Sequence, residues 1–191
     1  MTWVAHAVYQ TWFPTFYVKL GGLPTSMALL LTLITNAIVV VQVYVVSLLI
    51  DRTGRLPLMK LGFVLMGIGA VFALVMTAVL HITPWPVLFV AGIFILVGAA
   101  FNGFIPVIWV PELYPTRMRA WGTNMGGSMI RLGSLIAPIV AGAFLGQSWG
   151  VVGIFLWMAV APVIGFAILT TLGVETKRRV LEESSAPSIA S

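Results

Sequence analysis

Arg131 is the residue whose position most demands a chemical reason. It stands well inside a long apolar run, where no other Lys, Arg, Asp or Glu is found. At helical spacing Asn124, Gly127, Ser128, Arg131, Ser134 and Pro138 form one stripe of polar and small residues, while Met129, Ile130, Ile136 and Ile139 lie largely elsewhere. A guanidinium in such a groove suits bidentate binding of a carboxylate. Two plainer readings stand beside that one: an arginine bonded to helix carbonyls, or one snorkelling toward the nearer interface.

Other polar side chains interrupt apolar runs. Tyr9, Gln10 and Trp12 do so near the start, Thr32, Thr35 and Asn36 in the next run, and Asn102 with Pro106 further on. Each could hydrogen-bond a small polar substrate, and each could equally join helices for about 0.6 kcal/mol.

Charge is gathered elsewhere, in three short segments. These are Asp51-Arg52-Thr53-Gly54-Arg55, Glu112-Leu113-Tyr114-Pro115-Thr116-Arg117-Met118-Arg119, and Glu175-Thr176-Lys177-Arg178-Arg179 followed by Leu181-Glu182-Glu183. In each a carboxylate comes first, at the end of an apolar run, and basic residues follow within a few positions. Such groups can cross-link neighbouring helix ends and latch one conformation. Taken alone, the first reads as a solvated basic loop; three alike are harder to ascribe to chance.

Catalytic groupings are missing from the sequence. It has no cysteine, no H-E-x-x-H, no G-x-S-x-G and no P-loop. The expectation is a protein that is not an enzyme and takes no metal or cofactor.

The elements that must carry these residues follow from composition. Of 191 residues 60% are hydrophobic and 8% charged, against about 25% charged in an ordinary soluble domain. Too few charges remain to cover a water-exposed surface, which points to a lipid bilayer and excludes disordered, disulfide-scaffold and nucleic-acid-binding classes. Uncharged stretches run over Leu20–Ile50, Leu61–Pro111 and Leu132–Val174. A crossing takes about 20 residues, so the second stretch must fold back, at His81-Ile82-Thr83-Pro84-Trp85-Pro86. The third must turn at Gly146–Gly150. The fold class expected is an all-α membrane protein, a six-helix transmembrane bundle over 1–174. Its spans lie near 1–18, 27–50, 58–80, 86–109, 121–145 and 150–173, with a polar tail over 175–191. Met1–Val18 lacks a basic start and a small-residue cleavage site, so no cleavable leader is expected.

Counting Lys and Arg by side gives the orientation. Arg52, Arg55, Lys60, Arg117, Arg119, Lys177, Arg178 and Arg179 all fall on one face, and Lys19 alone on the other. The positive-inside rule then puts both termini in the cytoplasm of a cell with the chain in its inner or plasma membrane. It also explains the formal charge of +5 without a nucleic-acid partner.

The three charged segments carry a resemblance. Asp51-Arg52-Thr53-Gly54-Arg55 resembles the D-R-x-G-R loop between helices eight and nine of major facilitator superfamily transporters. Glu112-Leu113-Tyr114-Pro115-Thr116 with Arg119 is similar to their E-L-[FY]-P-T-x-x-R signature after helix ten. Val174-Glu175-Thr176-Lys177 with Leu181-Glu182-Glu183 is similar to the P-E-T-K-G…L-E-E signature after helix twelve. Val174 and Arg178 replace the proline and glycine of that last motif. In order and spacing the chain resembles the C-terminal half, helices seven to twelve, of the sugar-porter, organic-ion and metabolite:proton symporter branch. Ile130-Arg131-Leu132-Gly133-Ser134 with Pro138 resembles helix eleven of organic-anion carriers.

The resemblance implies alternating access of a small-molecule substrate. It also implies a conformational charge network of Asp51, Arg52, Arg55, Glu112, Arg119 and Glu175. Substrate contacts are expected from Arg131, Asn124, Ser128, Asn102, Gln10, Tyr9 and Asn36. A small organic acid moved with protons is the first expectation, and a sugar or polyol the alternative. No carboxylate lies within a span, so a proton acceptor is expected in another half. Since the chain opens in what would be helix seven, the expectation is a fragment, one of a split pair, or a subunit that dimerises. A truncated half acting only as a membrane interaction partner is the reading from another class.

Overall fold

The computed structural model describes residues 2–80, 84–147 and 150–175. His81, the turn residues Ile82, Thr83, Ser148 and Trp149, and the tail motif from Thr176 through Glu183 lie outside the described residues.

Among the described residues the chain forms six helices and no strands: α1 (Thr2–Lys19), α2 (Thr25–Thr53), α3 (Arg55–Ala78), α4 (Trp85–Leu113), α5 (Arg119–Leu145) and α6 (Gly150–Leu172). Proline marks two of the starts. Pro24 and Pro84 precede α2 and α4 with extended backbone, φ −66° and −65°, and Pro86 sits in the first turn, where its missing N–H costs nothing. Pro14, Pro106, Pro111, Pro138 and Pro162 lie inside helices, as neighbouring helices in a membrane bundle permit.

The helices α2 to α6 are each long and apolar enough to cross a bilayer. Many large apolar side chains stand exposed on them, Ile68, Val71, Val163 and Leu172 among these, an arrangement suited to lipid and costly in water. The chain is thus a multi-pass membrane protein. The first helix differs from the other five. It is 18 residues long, and its apolar content is largely aromatic and turned inward. Tyr9, Phe13, Phe16 and Tyr17 are all at most 2% exposed. The Tyr9 and Phe13 rings lie 4.3 Å apart, and Phe16 meets Phe155 of α6 at 5.9 Å, within the range of favourable ring packing.

Helix contacts define a front and a rear. In front α1 touches both α2 and α5, which do not touch each other. Behind it α4 packs against α1, α2, α3 and α5, and α3 also packs on α6. Glycine makes the rear tight. A Cβ on Gly98 would sit 2.5 Å from Gly62 O and from Met66 N, and one on Gly69 would sit 2.8 Å from Ala91 O. Backbone therefore meets backbone between α3 and α4, the small-residue packing that membrane helices use in place of a hydrophobic drive. The least buried helices are α2 and α5, the most buried α4.

Candidate functional site

Two polar regions stand out, one at the charged end of the bundle and one along the front.

At the charged end a single residue, Gly54, separates α2 from α3. Its φ is +99°, a conformation that disfavours any Cβ. The space is taken as well: a Cβ there would meet Glu175 Oε2 at 2.9 Å. That carboxylate, from just beyond α6, accepts hydrogen bonds from the backbone N–H groups of Arg55 (3.1 Å) and Leu56 (3.0 Å). The first amides of a helix lack internal partners and carry its positive dipole end, so Glu175 caps α3 from 120 positions away. The Arg55 side chain turns the other way. Its Nη2 donates to Glu112 Oε1 at 2.9 Å and its Nη1 lies 3.2 Å from Asp51 Oδ1. The guanidinium thereby joins the ends of α2, α3 and α4, and the Arg55 backbone ties in the segment after α6.

The partners are unequal. Arg55 and Glu112 are 12% and 19% exposed, whereas Asp51 is 79% exposed, and an exposed pair contributes little. Trp109 adds a tie that the sequence did not suggest: its indole N–H donates to Val174 O at 2.9 Å, holding the segment after α6 against α4. Tyr114 serves packing, since its ring lies where a Cβ on Gly122 would fall, 2.6 Å away. Of the expected network, Asp51, Arg55, Glu112 and Glu175 are brought together, and Arg52 is exposed at the close of α2. Arg119 stands apart from these hydrogen bonds and ion pairs. It opens α5 beyond the Pro115–Met118 turn, and its Nε and Nη2 are buried with no hydrogen-bond partner among the described residues.

Along the front, α5 buries the small residues Gly122, Ala137 and Ala141. At about 100° per residue, Arg131, Asn124 and Ser128 lie about 120–180° around the helix from Ala137, and all three are exposed. No hydrogen bond or ion pair from a described residue engages the Arg131 guanidinium. Ser128 and Ser134 donate their hydroxyls back to Asn124 O (2.9 Å) and Ile130 O (3.0 Å), so toward a ligand they offer acceptors.

On α1 and α2, Gln10 and Asn36 meet directly, with Gln10 Nε2 donating to Asn36 Oδ1 at 2.8 Å. Trp12 faces α5, donating to Pro138 O at 3.2 Å, beside Gly142, whose Cβ would stand 3.2 Å from the indole.

Two expected substrate contacts are buried in this half. Tyr9 is 0% exposed, stacked on Phe13 and pressed on Gly92. Asn102 is 2% exposed, with Nδ2 donating to Gly98 O at 3.2 Å and lying against Gly62. Both fill solid protein because helix rotation, which apolar patterning fixes poorly on an all-apolar helix, turns them inward. A further polar tie went unseen in the sequence. Gln42, standing alone in the apolar run of α2, donates to Val97 O of α4 at 3.1 Å.

Comparison with known proteins accords with this geometry. The sequence profile of the family described as sugar (and other) transporter matches residues 7–186. YwtG of Bacillus subtilis, named for metabolite transport, is 32% identical over 85% of this chain and 36% of its own length. The inner membrane metabolite transport protein YdjE of Escherichia coli is 25% identical over 91% of the chain and 37% of its own length. The synaptic vesicle 2-related protein of Rattus norvegicus is 33% identical over 71% of the chain and 23% of its own length. The chain thus spans from under a quarter to little more than a third of the length of these curated relatives.

Proposed function

The chain belongs to the sugar (and other) transporter family, a family of transporters and not enzymes, and from that premise we propose that it forms one six-helix half of an alternating-access carrier for a small organic acid. The front row α2–α1–α5 would line the substrate path, and α3, α4 and α6 would back it. A complementary six-helix half, or a second copy, would supply the opposite wall, and protons the driving force. Ligand binding would then shift the inward–outward equilibrium by its differential affinity for the two states.

One observation carries the reading: an exposed guanidinium, Arg131, with no partner among the described residues, on an otherwise apolar membrane helix. Against lipid it would cost about 2.5–3.5 kcal/mol; against a shared aqueous cleft it is a carboxylate receptor. Its depth suits a central site, since it stands twelve residues, ~18 Å, along α5 from Arg119. The eight-to-one split of Lys and Arg supports a cytoplasmic position for both termini and for the charged end. There Arg55, Glu112, Asp51 and Glu175 would hold the helix ends together in one state and release them in the other.

The Gln10–Asn36 pair favours a second reading, a sugar or polyol cargo, because amides suit hydroxyls. Uptake of radiolabelled acids and polyols into proteoliposomes decides between them. Acid uptake lost in Arg131→Ala and reduced in Arg131→Lys is the expected outcome. Acid uptake indifferent to both variants would remove Arg131 from the site. Absence of any uptake, with or without a second half, would favour a membrane interaction partner.

A further inference from the structure

Away from the front row, α3 and α6 pack on each other and leave a hollow of about 570 Å³ between them. Buried Phe63, Ala159 and Pro162 make its floor, and exposed Val64, Ile68 and Val71 of α3 and Val163 of α6 its rims. Gly67 keeps it open, since a Cβ there would meet only Pro162 Cγ, at 3.8 Å. Every lining side chain is apolar. A polar solute finds no partner in it, while a hydrocarbon chain regains the dispersion contacts that an empty hollow forfeits.

The same face of α3 carries a cation. Lys60, Phe63, Val64, Gly67, Ile68 and Val71 recur at helical spacing, which puts Lys60 in line with the hollow, toward the charged end. It stands five residues, ~7.5 Å, beyond Arg55, and is partly buried. It makes no hydrogen bond or ion pair with a described residue, whereas Arg55 has Glu112 and Asp51. Along α6 the residues that continue the hollow, Val163, Phe166 and Thr170, include no carboxylate, and Glu175 caps the α3 amides. A lysine so placed reaches headgroup level along its own stem, and there no anion of the described chain meets it.

We propose that this hollow holds one acyl chain of an anionic phospholipid from the leaflet at the charged end, with Lys60 on its phosphate. The lengths agree. Lys60 to Val71 is eleven residues, ~16 Å along α3, close to half of the ~30 Å hydrocarbon core, so a single lipid spans cation and hollow together. Basic residues between membrane helices hold such headgroups. The site lies on helices behind the front row and does not depend on which cargo is carried.

The chain has no cysteine, so one introduced at a time can carry a fluorescent reporter. Val64→Cys puts it on the rim of the hollow and Val45→Cys on α2; both positions are 45% exposed. The full 191-residue chain is placed in lipid nanodiscs, and quenching by dibrominated phosphatidylglycerol is compared with quenching by dibrominated phosphatidylcholine. At position 64 the anionic lipid is expected to be favoured about 5-fold, the increment of one lysine at a membrane surface. At position 45 neither lipid should be favoured. Lys60→Gln should abolish the preference and Lys60→Arg keep it. Gly67→Leu, which fills the hollow, should weaken quenching by both lipids at position 64 and leave position 45 unchanged; should that variant fail to fold, the Lys60 series decides alone. An equal preference at both positions, a preference that survives Lys60→Gln, or relief of quenching by free glycerol 3-phosphate would each overturn the proposal. Position 64 unquenched beside a quenched position 45 would give the hollow to a protein neighbour and overturn it as well.

Discussion

Arg55 meets Glu112 at 2.9 Å, the first residue of α3 against the last turn of α4. Both are mostly shielded from solvent, whereas the Asp51 that also faces Arg55 is not. The order of importance follows from burial. Glu112→Gln keeps the shape and removes the charge, and is expected to lower unfolding stability by about 1.5–2 kcal/mol, the lower part of the range for a hydrogen bond to a charged group. Asp51→Asn should cost less than about 0.5 kcal/mol. Denaturation midpoints in one detergent compare them; equal losses would contradict the ranking.

Gly54 is required twice, by its φ of +99° and by the nearness of Glu175. Gly54→Ala should cost about 1–3 kcal/mol for the backbone alone, with added loss as the carboxylate is pushed from the α3 amides. Glu175→Ala should cost about 1 kcal/mol, as a lost helix cap does. Because Gly54→Ala by itself already disturbs the cap, the double variant should lose less than the sum of the two. Simple additivity in thermal melts would show that the two residues act separately.

Two glycines of the rear layer, one on α4 and one on α3, should respond oppositely. At Gly98 a Cβ would strike backbone atoms of α3, which cannot step aside. At Gly67 the nearest atom is Pro162 Cγ at 3.8 Å, ordinary contact. Gly98→Ala is expected to destabilise by about 1–3 kcal/mol, and Gly67→Ala to be neutral or stabilising by up to about 1 kcal/mol. Thermal melts of the two variants, side by side, check this; a harmless Gly98→Ala would mean that the helices are farther apart than described.

Among the described residues Arg131 makes no hydrogen bond or ion pair, so Arg131→Ala should leave the melting temperature within about 1 °C, a shift well under 0.5 kcal/mol, while abolishing acid uptake. A large loss of stability would mean that the guanidinium is a structural group with a partner inside the bundle.

Much of the fold is legible in the sequence because its cause is local. Twenty-residue apolar runs between Pro24, Gly54, Pro84 and the charged segments leave helices little choice of where to start and stop. The charge network is legible in part, since Asp51, Arg55 and Glu112 sit where helices end. What Glu175 does there is not: it caps the backbone of α3, and that depends on the approach of a segment 120 positions distant. Tyr9 and Asn102 mislead for a related reason. On helices such as α1 and α4, where polar residues gather on no single face, polarity no longer marks the open side, and only the packing of neighbours decides which way a side chain turns. Trp12, Gln42 and Trp109 each donate to a carbonyl of another helix or of the segment after one, partners that carry no signature in the letters of a sequence.

The glycine contact between α3 and α4 has a mechanical side. Side chains between two helices act as bearings that can change rotamer and let the pair slide; where main chain rests on main chain there are none. The two helices are therefore held in register with each other, and slack in the molecule is to be sought in α2 and α5, the two helices their neighbours grip least.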